Sequence, residues 1–348
     1  MLSWPIILRH LTSLEDLDSQ MADWALEEVM SGRATSAQIA ALLMGLKVKG
    51  EAASEVLGFV EVMYRHAKPV YFPGRAVDCV GTGGDGANTI NISTTAAIVA
   101  AAAGATVIKH GSRAASSQSG SADVLEALGV ATDLDGAGVE KCANELGIAF
   151  CFAPAFHPAM KNVAQTRREM GVTTVFNIVG PLSNPAKPKA NAIGVADSRW
   201  VPVVAEVLAA RGTDALVFRG DDGLDELSLS TTSTVYVVAD GKVTKEILDP
   251  LDLGIARSPK SALAGGDAPA NALATRAVLA GELGPHRDAI LLNAAAALAA
   301  FEAPKQSGMS LTERMTAGLV AAAAAIDSGA AQLLLERWVE LSQSLRQS

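Results

Sequence analysis

The chain has 348 residues, of which 49% are hydrophobic and 19% charged, and a formal net charge of −9. Such a composition describes a folded protein with chain enough for one large or two ordinary domains, not a disordered segment. The acidic balance excludes a general nucleic-acid or membrane-surface binder, because both need an excess of basic residues.

Three cysteines, Cys79, Cys142 and Cys151, show no C-x-x-C spacing, so neither a disulfide scaffold nor a zinc ribbon is expected. No charged-then-apolar leader opens the sequence, and its longest apolar runs are Ala-rich and weakly hydrophobic. The expected location is the cytoplasm, with no membrane partner.

The first 70 residues read as all-helical. Met21, Trp24, Ala25 and Val29 share one helical face after the acidic start Asp16–Asp18. Ile39, Leu42, Leu43 and Leu46 repeat the i, i+3, i+4, i+7 spacing, and Val56, Phe59, Val60 and Met63 repeat it again. Thr35 and Gln38 fit a capping box, and Pro69 with Pro73-Gly74 stops the helical pattern.

From Ala76 onward short β-type runs alternate with helices. Strands are predicted at Ala76–Val80, Thr106–Lys109, Ile148–Phe152, Ala190–Val195 and Ala215–Arg219, and helices at Asp123–Leu128, Val139–Leu146 and Pro202–Ala210. Repeated strand–helix–strand units imply a largely parallel sheet covered on both faces. Val235–Val238 and Val243–Leu248 flank Asp240-Gly241 and predict an antiparallel hairpin. The stretches Ala289–Phe301, Leu311–Ile326 and Ala330–Leu345 predict late helices.

The densest chemical signal is Gly81-Thr82-Gly83-Gly84-Asp85-Gly86, between the first strand and an Ala-rich helix predicted over Ile92–Ala103. A glycine-rich turn there lets backbone N–H groups approach an anion unobstructed by side chains. Read as G-x-G-x-x-G, the turn suggests a dinucleotide fold. That fold also wants an acidic residue at the end of the second strand, where this chain has Lys109-His110-Gly111-Ser112-Arg113.

A second reading joins four segments into one site. The turn gives backbone donors, and Asn91-Ile92-Ser93-Thr94 gives hydroxyls at a helix start. Lys109–Arg113 with Ser116–Ser121 gives a cation and an anion nest, and Asp221–Glu226 gives paired carboxylates after a strand. Carboxylates bind phosphate poorly but hold Mg²⁺, which binds phosphate oxygens well. The set suits a ligand with several phosphates and a departing pyrophosphate. Taken singly, the serine-rich segment reads as a loop and cap, the Asp225-Glu226 pair as solvated surface, and His10, His66 and His286 as structural.

Together these segments resemble the anthranilate phosphoribosyltransferase family. The glycine turn, Asn91–Thr94, Lys109-His110-Gly111, Ser119–Asp123, Phe176–Pro185 with Gly180-Pro181-Leu182, Asp222–Glu226, Gly265–Ala268 and Arg287–Asn293 stand in that family's order, over essentially the whole chain. The resemblance implies an α/β fold with a mostly parallel central sheet flanked by helices, like nucleoside phosphorylases and related phosphoribosyltransferases. A smaller all-helical domain over residues 1–72, joined by helices near 158–187, would precede an α/β domain over 73–348. It also implies a homodimer formed through the helical domain.

The implied reaction transfers the phosphoribosyl group of 5-phosphoribosyl 1-diphosphate to the amine of anthranilate, releasing pyrophosphate, the second step from chorismate to tryptophan. By the same resemblance Gly81, Thr82, Gly83, Gly84, Asp85, Thr89, Asn91, Ser93, Thr94, Lys109 and Ser121 would bind the donor. Gly81, His110, Ser112, His157, Arg167, Gly180 and Pro181 would bind anthranilate, with Arg167 at its carboxylate. Ser93 with Glu226, and Asp225 with Glu226, would hold two Mg²⁺ per subunit. No general base is assigned. Two positions depart from the family pattern: Ser112 stands where asparagine is usual, and Lys161-Asn162 where Arg-His is common. A nucleoside phosphorylase of the same fold and a non-catalytic sensor of the donor are the rival readings.

Overall fold

The computed structural model describes residues 1–114 and 118–346. Ser116 and Ser117 of the serine-rich segment lie outside the described residues.

Four helices come first: α1 (Trp4–Thr12), α2 (Ser19–Met30), α3 (Ser36–Lys49) and α4 (Ala53–His66). The capping box forms as the sequence predicts. Gln38 N–H donates to the Thr35 hydroxyl at 3.3 Å, and Thr35 N–H donates to the Gln38 side chain at 2.9 Å. The buried stripe of α2 is Ala22, Ala25, Leu26 and Val29, so Met21 and Trp24 are only partly covered. The stripe is rotated from the predicted one because α2 and α4 meet at small residues. A Cβ on Gly58 would lie 2.6 Å from the Ser19 carbonyl oxygen and 3.0 Å from the Ala22 methyl. Trp24 packs against Trp4 instead, with ring centroids 5.6 Å apart.

The strands are β1 (Val77–Gly81), β2 (Val107–Gly111), β3 (Ile148–Phe152), β4 (Ala190–Gly194), β5 (Asp214–Gly220), β6 (Ser233–Ala239) and β7 (Lys242–Leu248). They form one seven-stranded sheet in the order β3-β2-β1-β4-β5-β6-β7. The first five in that row are parallel, and β6 and β7 are antiparallel. Asp240 and Gly241 turn the hairpin with φ of 51° and 69°, as a two-residue connection requires.

Between the strands run α5 (Ile92–Ala102), α6 (Ser121–Leu128), α7 (Gly136–Leu146), α8 (Ala153–Phe156), α9 (Lys161–Met170), α10 (Phe176–Leu182) and α11 (Trp200–Ala210). Then follow α12 (Ala268–Leu279), α13 (Pro285–Phe301), α14 (Leu311–Asp327) and α15 (Ala330–Arg346).

Alternation along the strands feeds two cores. Ala192 and Leu216 face the core built on α5, α13 and α14, whereas Ile193 and Val217 face a second core. That second core runs through α11 and α10 into α2, α3 and α4, with Val163, Phe176 and Val179 bridging the bundle to the sheet. Helix α13 is buried almost all round from Ala289 to Ala300, which is how a helix without a polar face is accommodated. Among the described residues no single helix is long and apolar enough to cross a membrane.

Candidate active site

The chain reverses its winding between β1 and β4, the position at which doubly wound sheets open a crevice beyond their strand ends. β1 ends at Gly81 and β4 at Gly194, in register with each other. Asp225 closes on both glycines, on Gly81 with its side chain and on Gly194 with its backbone. A Cβ on Gly81 would lie 2.4 Å from Asp225 Oδ2, and one on Gly194 would lie 1.7 Å from the Asp225 carbonyl oxygen. The Gly83 N–H donates to Asp225 Oδ2 at 2.6 Å. Gly83 and Gly84 both have positive φ, 68° and 85°, a conformation that side chains resist. The turn and the acidic pair, 142 residues apart in sequence, are thus one structure. Thr82 is tied down beside them, its hydroxyl accepting from the Ala196 N–H at 3.0 Å.

Asp225 and Glu226 are 9% and 8% exposed, contrary to the solvated-surface reading of such a pair. Burial, with Asp85 adding negative charge, pushes the Asp225 carboxyl up to about 7. Burial and then Asp225 push Glu226 well above the usual carboxylate range, opposed by Lys109. A cation displacing those protons would find hard oxygen donors of the kind Mg²⁺ prefers. Among the described residues no group of three or more His, Cys, Asp or Glu could hold a metal. Oxygens of a bound phosphate would have to complete the shell.

Lys109 is 1% exposed, and its Nζ bonds the Cys79 carbonyl and, at 3.3 Å, the Ser93 hydroxyl. It is the cation of this edge. Arg113, counted with it in the sequence, pairs instead with Asp123 and Glu126 over the Phe152 ring. Asp221 and Asp222 are likewise spent, on the hydroxyls of Thr232, Ser228 and Ser230.

The turn does not lead straight into a helix. Residues 82–91 intervene, and Thr89 pairs with Ala264 in an isolated bridge before α5 starts at Ile92. A dinucleotide motif puts its helix within the glycine run, so that reading fails on geometry.

Ser93 and Thr94 lie in the first turn of α5, and the Thr94 hydroxyl is buried without a partner among the described residues. Asn91 caps α5. Its Nδ2 donates to the Ser119 carbonyl at 3.1 Å, and its Oδ1 accepts from Asn271 Nδ2 at 2.8 Å. One turn on, Thr95 and Thr275 join hydroxyls at 2.9 Å. Ser121 opens α6 beside Gly111, where an added Cβ would come 3.0 Å from the Ser121 Cβ.

On the other side of β2, His110 and His157 meet edge to face with centroids 5.1 Å apart. Burial, and then each other's proximity in the case of His110, hold the imidazoles down at about 3 and about 4, so both are neutral near pH 7. His157 Nε2 lies 2.9 Å from the Ser183 carbonyl, which can only accept, so its proton sits on Nε2 and Nδ1 keeps a lone pair. His110 Nε2 and His157 Nδ1 are buried without partners among the described residues.

Gly180 and Pro181, near the end of α10, are partly exposed next to this pair, and the Gly180 backbone bonds His110. Arg167 on α9 stacks over the Phe176 ring at 5.3 Å and has no acidic partner among the described residues; burial lowers its affinity for a proton. Ser112 is exposed, its carbonyl accepting from Ala122 N–H at 3.2 Å. Asn162 serves the bundle, its amide donating to the Met30 carbonyl at 2.8 Å.

Of two further buried residues of this site, Asp78 escaped sequence reasoning and Asn184 was noted only within the Phe176–Pro185 motif. Asp78 on β1 accepts from the His110 N–H at 3.1 Å and from Asn184 Nδ2 at 2.8 Å, and Asn184 also donates to the Ile108 carbonyl at 2.7 Å. Burial lifts the Asp78 carboxyl to about 6 against the pull of Lys109. A carboxylate inside the apolar run Ala76–Val80 was the available signal.

Comparison with known proteins decides the family. The family model described as "Glycosyl transferase family, a/b domain" matches residues 73–332, and that described as "Glycosyl transferase family, helical bundle domain" matches 5–67. An anthranilate phosphoribosyltransferase from Rhodococcus jostii is 55% identical over 346 residues, 99% of this chain and 95% of that protein. One from Acidothermus cellulolyticus is 57% identical over 344 residues, 99% and 96% of the two chains. The chain belongs to the anthranilate phosphoribosyltransferase family.

It is therefore an enzyme of pentosyl transfer with the α/β-plus-bundle architecture that the resemblance implied. The crystal structure of the Thermus thermophilus anthranilate phosphoribosyltransferase superposes with a TM-score of 0.89 at 40% identity, covering 97% of this chain and 99% of that one. The Saccharomyces cerevisiae anthranilate phosphoribosyltransferase in complex with PRPP and Mg superposes at 0.87 with 28% identity, covering 98% and 99%.

Proposed function

We propose that the β1–β4 crevice holds 5-phosphoribosyl 1-diphosphate with Mg²⁺ and that the His110–His157 side holds anthranilate. The enzyme transfers the phosphoribosyl group to the anthranilate amine, giving N-(5-phosphoribosyl)anthranilate and pyrophosphate, the second step of tryptophan biosynthesis from chorismate. The bond from Gly83 N–H to Asp225 carries the reading, because it ties the glycine turn to the carboxylates that would hold a cation. The magnesium-and-PRPP complex of the yeast relative supports it.

In this reading Gly81–Asp85, Thr89, Asn91, Ser93, Thr94, Lys109 and Ser121 bind the donor. Ser93, Asp225 and Glu226 hold two Mg²⁺ per subunit. When bound, Mg²⁺ offsets the charge that builds on departing pyrophosphate. The backbone donors of the turn and the Lys109 ammonium act on the same charge without having to reorganise.

The Arg167 guanidinium, without an acidic partner among the described residues, takes the anthranilate carboxylate, which fixes the ring against the neutral imidazoles of His110 and His157 and the Gly180-Pro181 end of α10. Ser112 lines the mouth of this pocket. An aromatic amine needs placement more than deprotonation, and the depressed His157 imidazole is a poor base, so orientation at the ribose carbon supplies much of the acceleration. The active form is a cytoplasmic homodimer joined through the helical unit, where Met44 and Val48 of α3 are 45% and 71% exposed.

Loss of anthranilate fluorescence on mixing with 5-phosphoribosyl 1-diphosphate and Mg²⁺ tests the reading. The expected trace is saturable and metal-dependent, and Asp225→Asn with Glu226→Gln abolishes it. Phosphorolysis of a nucleoside, or turnover undiminished in the double variant, overturns it.

A further inference from the structure

The donor-site residues of the preceding reading all precede Glu226, yet the helix that carries several of them is held by a segment far downstream. Two polar rungs join the start of α5 to α12 in matched steps: Asn91 with Asn271 at 2.8 Å, and one turn later Thr95 with Thr275 at 2.9 Å. Each pair spans 180 residues of sequence. Asn271 and Thr275 are 2% and 3% exposed, so the rungs are not surface accidents.

Asn271 is held in turn, its Oδ1 accepting from the Gly266 N–H at 2.8 Å. That leaves its Nδ2 to donate and fixes which way the Asn91 amide must point. With Oδ1 of Asn91 committed to Asn271 and Nδ2 to the Ser119 carbonyl, one amide N–H is left for a ligand. In the lower rung Thr95 already directs its hydroxyl at the Asn91 carbonyl, 3.1 Å away, so Thr275 is the donor there.

We propose that Asn271 and Thr275 are positioning residues for the donor: from α12 they set the orientation of the Asn91 amide and the seat of the α5 N-terminus, where Ser93 and Thr94 lie. The inference rests on the donor site assigned above. Its physical content is a choice between amide orientations. Rotating Asn91 by half a turn would set its nitrogen against Asn271 Nδ2 and its oxygen against the Ser119 carbonyl, two repulsive contacts in a buried place. An aspartate at 271 keeps the shape and still accepts from Gly266. It turns the upper rung into oxygen facing oxygen, so that Asn91 must lose one of its two contacts.

The test is calorimetric titration of 5-phosphoribosyl 1-diphosphate with Mg²⁺, together with KM for both substrates, on the full-length wild type, Asn271→Asp and Thr275→Val. Donor affinity is expected to fall about tenfold in Asn271→Asp and about threefold in Thr275→Val, with the anthranilate KM within about twofold. Wild-type protein that does not take up the donor overturns the site assignment itself. Uptake by wild type and equal uptake by both variants overturns this inference alone, as does an equal rise of both KM values. If Asn271→Asp does not fold, Thr275→Val decides: unchanged donor affinity there overturns the inference, and selective weakening supports it.

Discussion

Arg167 is a partly buried guanidinium over an aromatic ring, with no carboxylate to meet it among the described residues. Taking such a group out of water costs free energy that a bound anion recovers. Arg167→Gln is therefore expected to raise the anthranilate KM by about ten- to a hundredfold while the donor KM moves little, in steady-state kinetics with each substrate varied. An unchanged anthranilate KM would remove Arg167 from the acceptor pocket. Gly194 acts by a different physics. Its missing Cβ is the space occupied by the Asp225 carbonyl, only 1.7 Å from where that carbon would be. Gly194→Ala is expected to cost more than about 2 kcal/mol in denaturant melts and to abolish metal-dependent turnover. Normal stability with normal turnover would mean the backbone there yields more readily than its packing suggests.

Helices and strands were mostly legible because their signals are local. The capping box of α3, the five parallel strands and the Asp240-Gly241 hairpin follow from spacing and turn chemistry within a few residues. The stripe of α2 was misplaced because it is set by a neighbour, Gly58 on α4, and not by α2's own pattern. In the same way the glycine turn and the acidic pair stood out as residues, while Asp78 and Asn271 did not and Asn184 was given no role of its own. Each makes a bond to a partner 32 to 180 residues away. The contact of α2 with α4 carries its own pH test. The Ser31 hydroxyl, then His66 and Arg65, hold the Glu27 carboxyl down at about 2. A carboxyl lowered in the folded state stabilises the fold above its ordinary value of 4.5, and that contribution is lost as pH falls toward about 2. Glu27→Gln is expected to be less stable than wild type by about 0.5–1 kcal/mol at pH 7, because the group is partly exposed. In denaturant melts the gap should narrow below pH 4.5 and close near about 2, where the carboxyl takes up its proton in the folded state too. A gap independent of pH would mean that the substitution disturbs packing and not charge.

At the scale of the molecule, bundle and sheet do not have separate interiors. The core of α2, α3 and α4 continues through Phe176 and Val179 into α11 and onto Ile193 and Val217 of the sheet. Heating is accordingly expected to give one calorimetric transition whose van 't Hoff and measured enthalpies agree. Two resolved transitions, with the bundle melting first, would show that the shared core does not couple them.

The link from α12 back to α5 also bears on how the protein is made. Synthesis completes the glycine turn, the Lys109 strand end and the acidic pair while Asn271 and Thr275 are still to be added. Until those two residues emerge, the carboxamide oxygen of Asn91 and the hydroxyl of Thr95 lack the partners that α12 brings. With the donor seat as proposed, a growing polypeptide carries nearly every ligand-binding group before it has the means to aim them, and competence to bind is expected to arrive late, with the last quarter of translation.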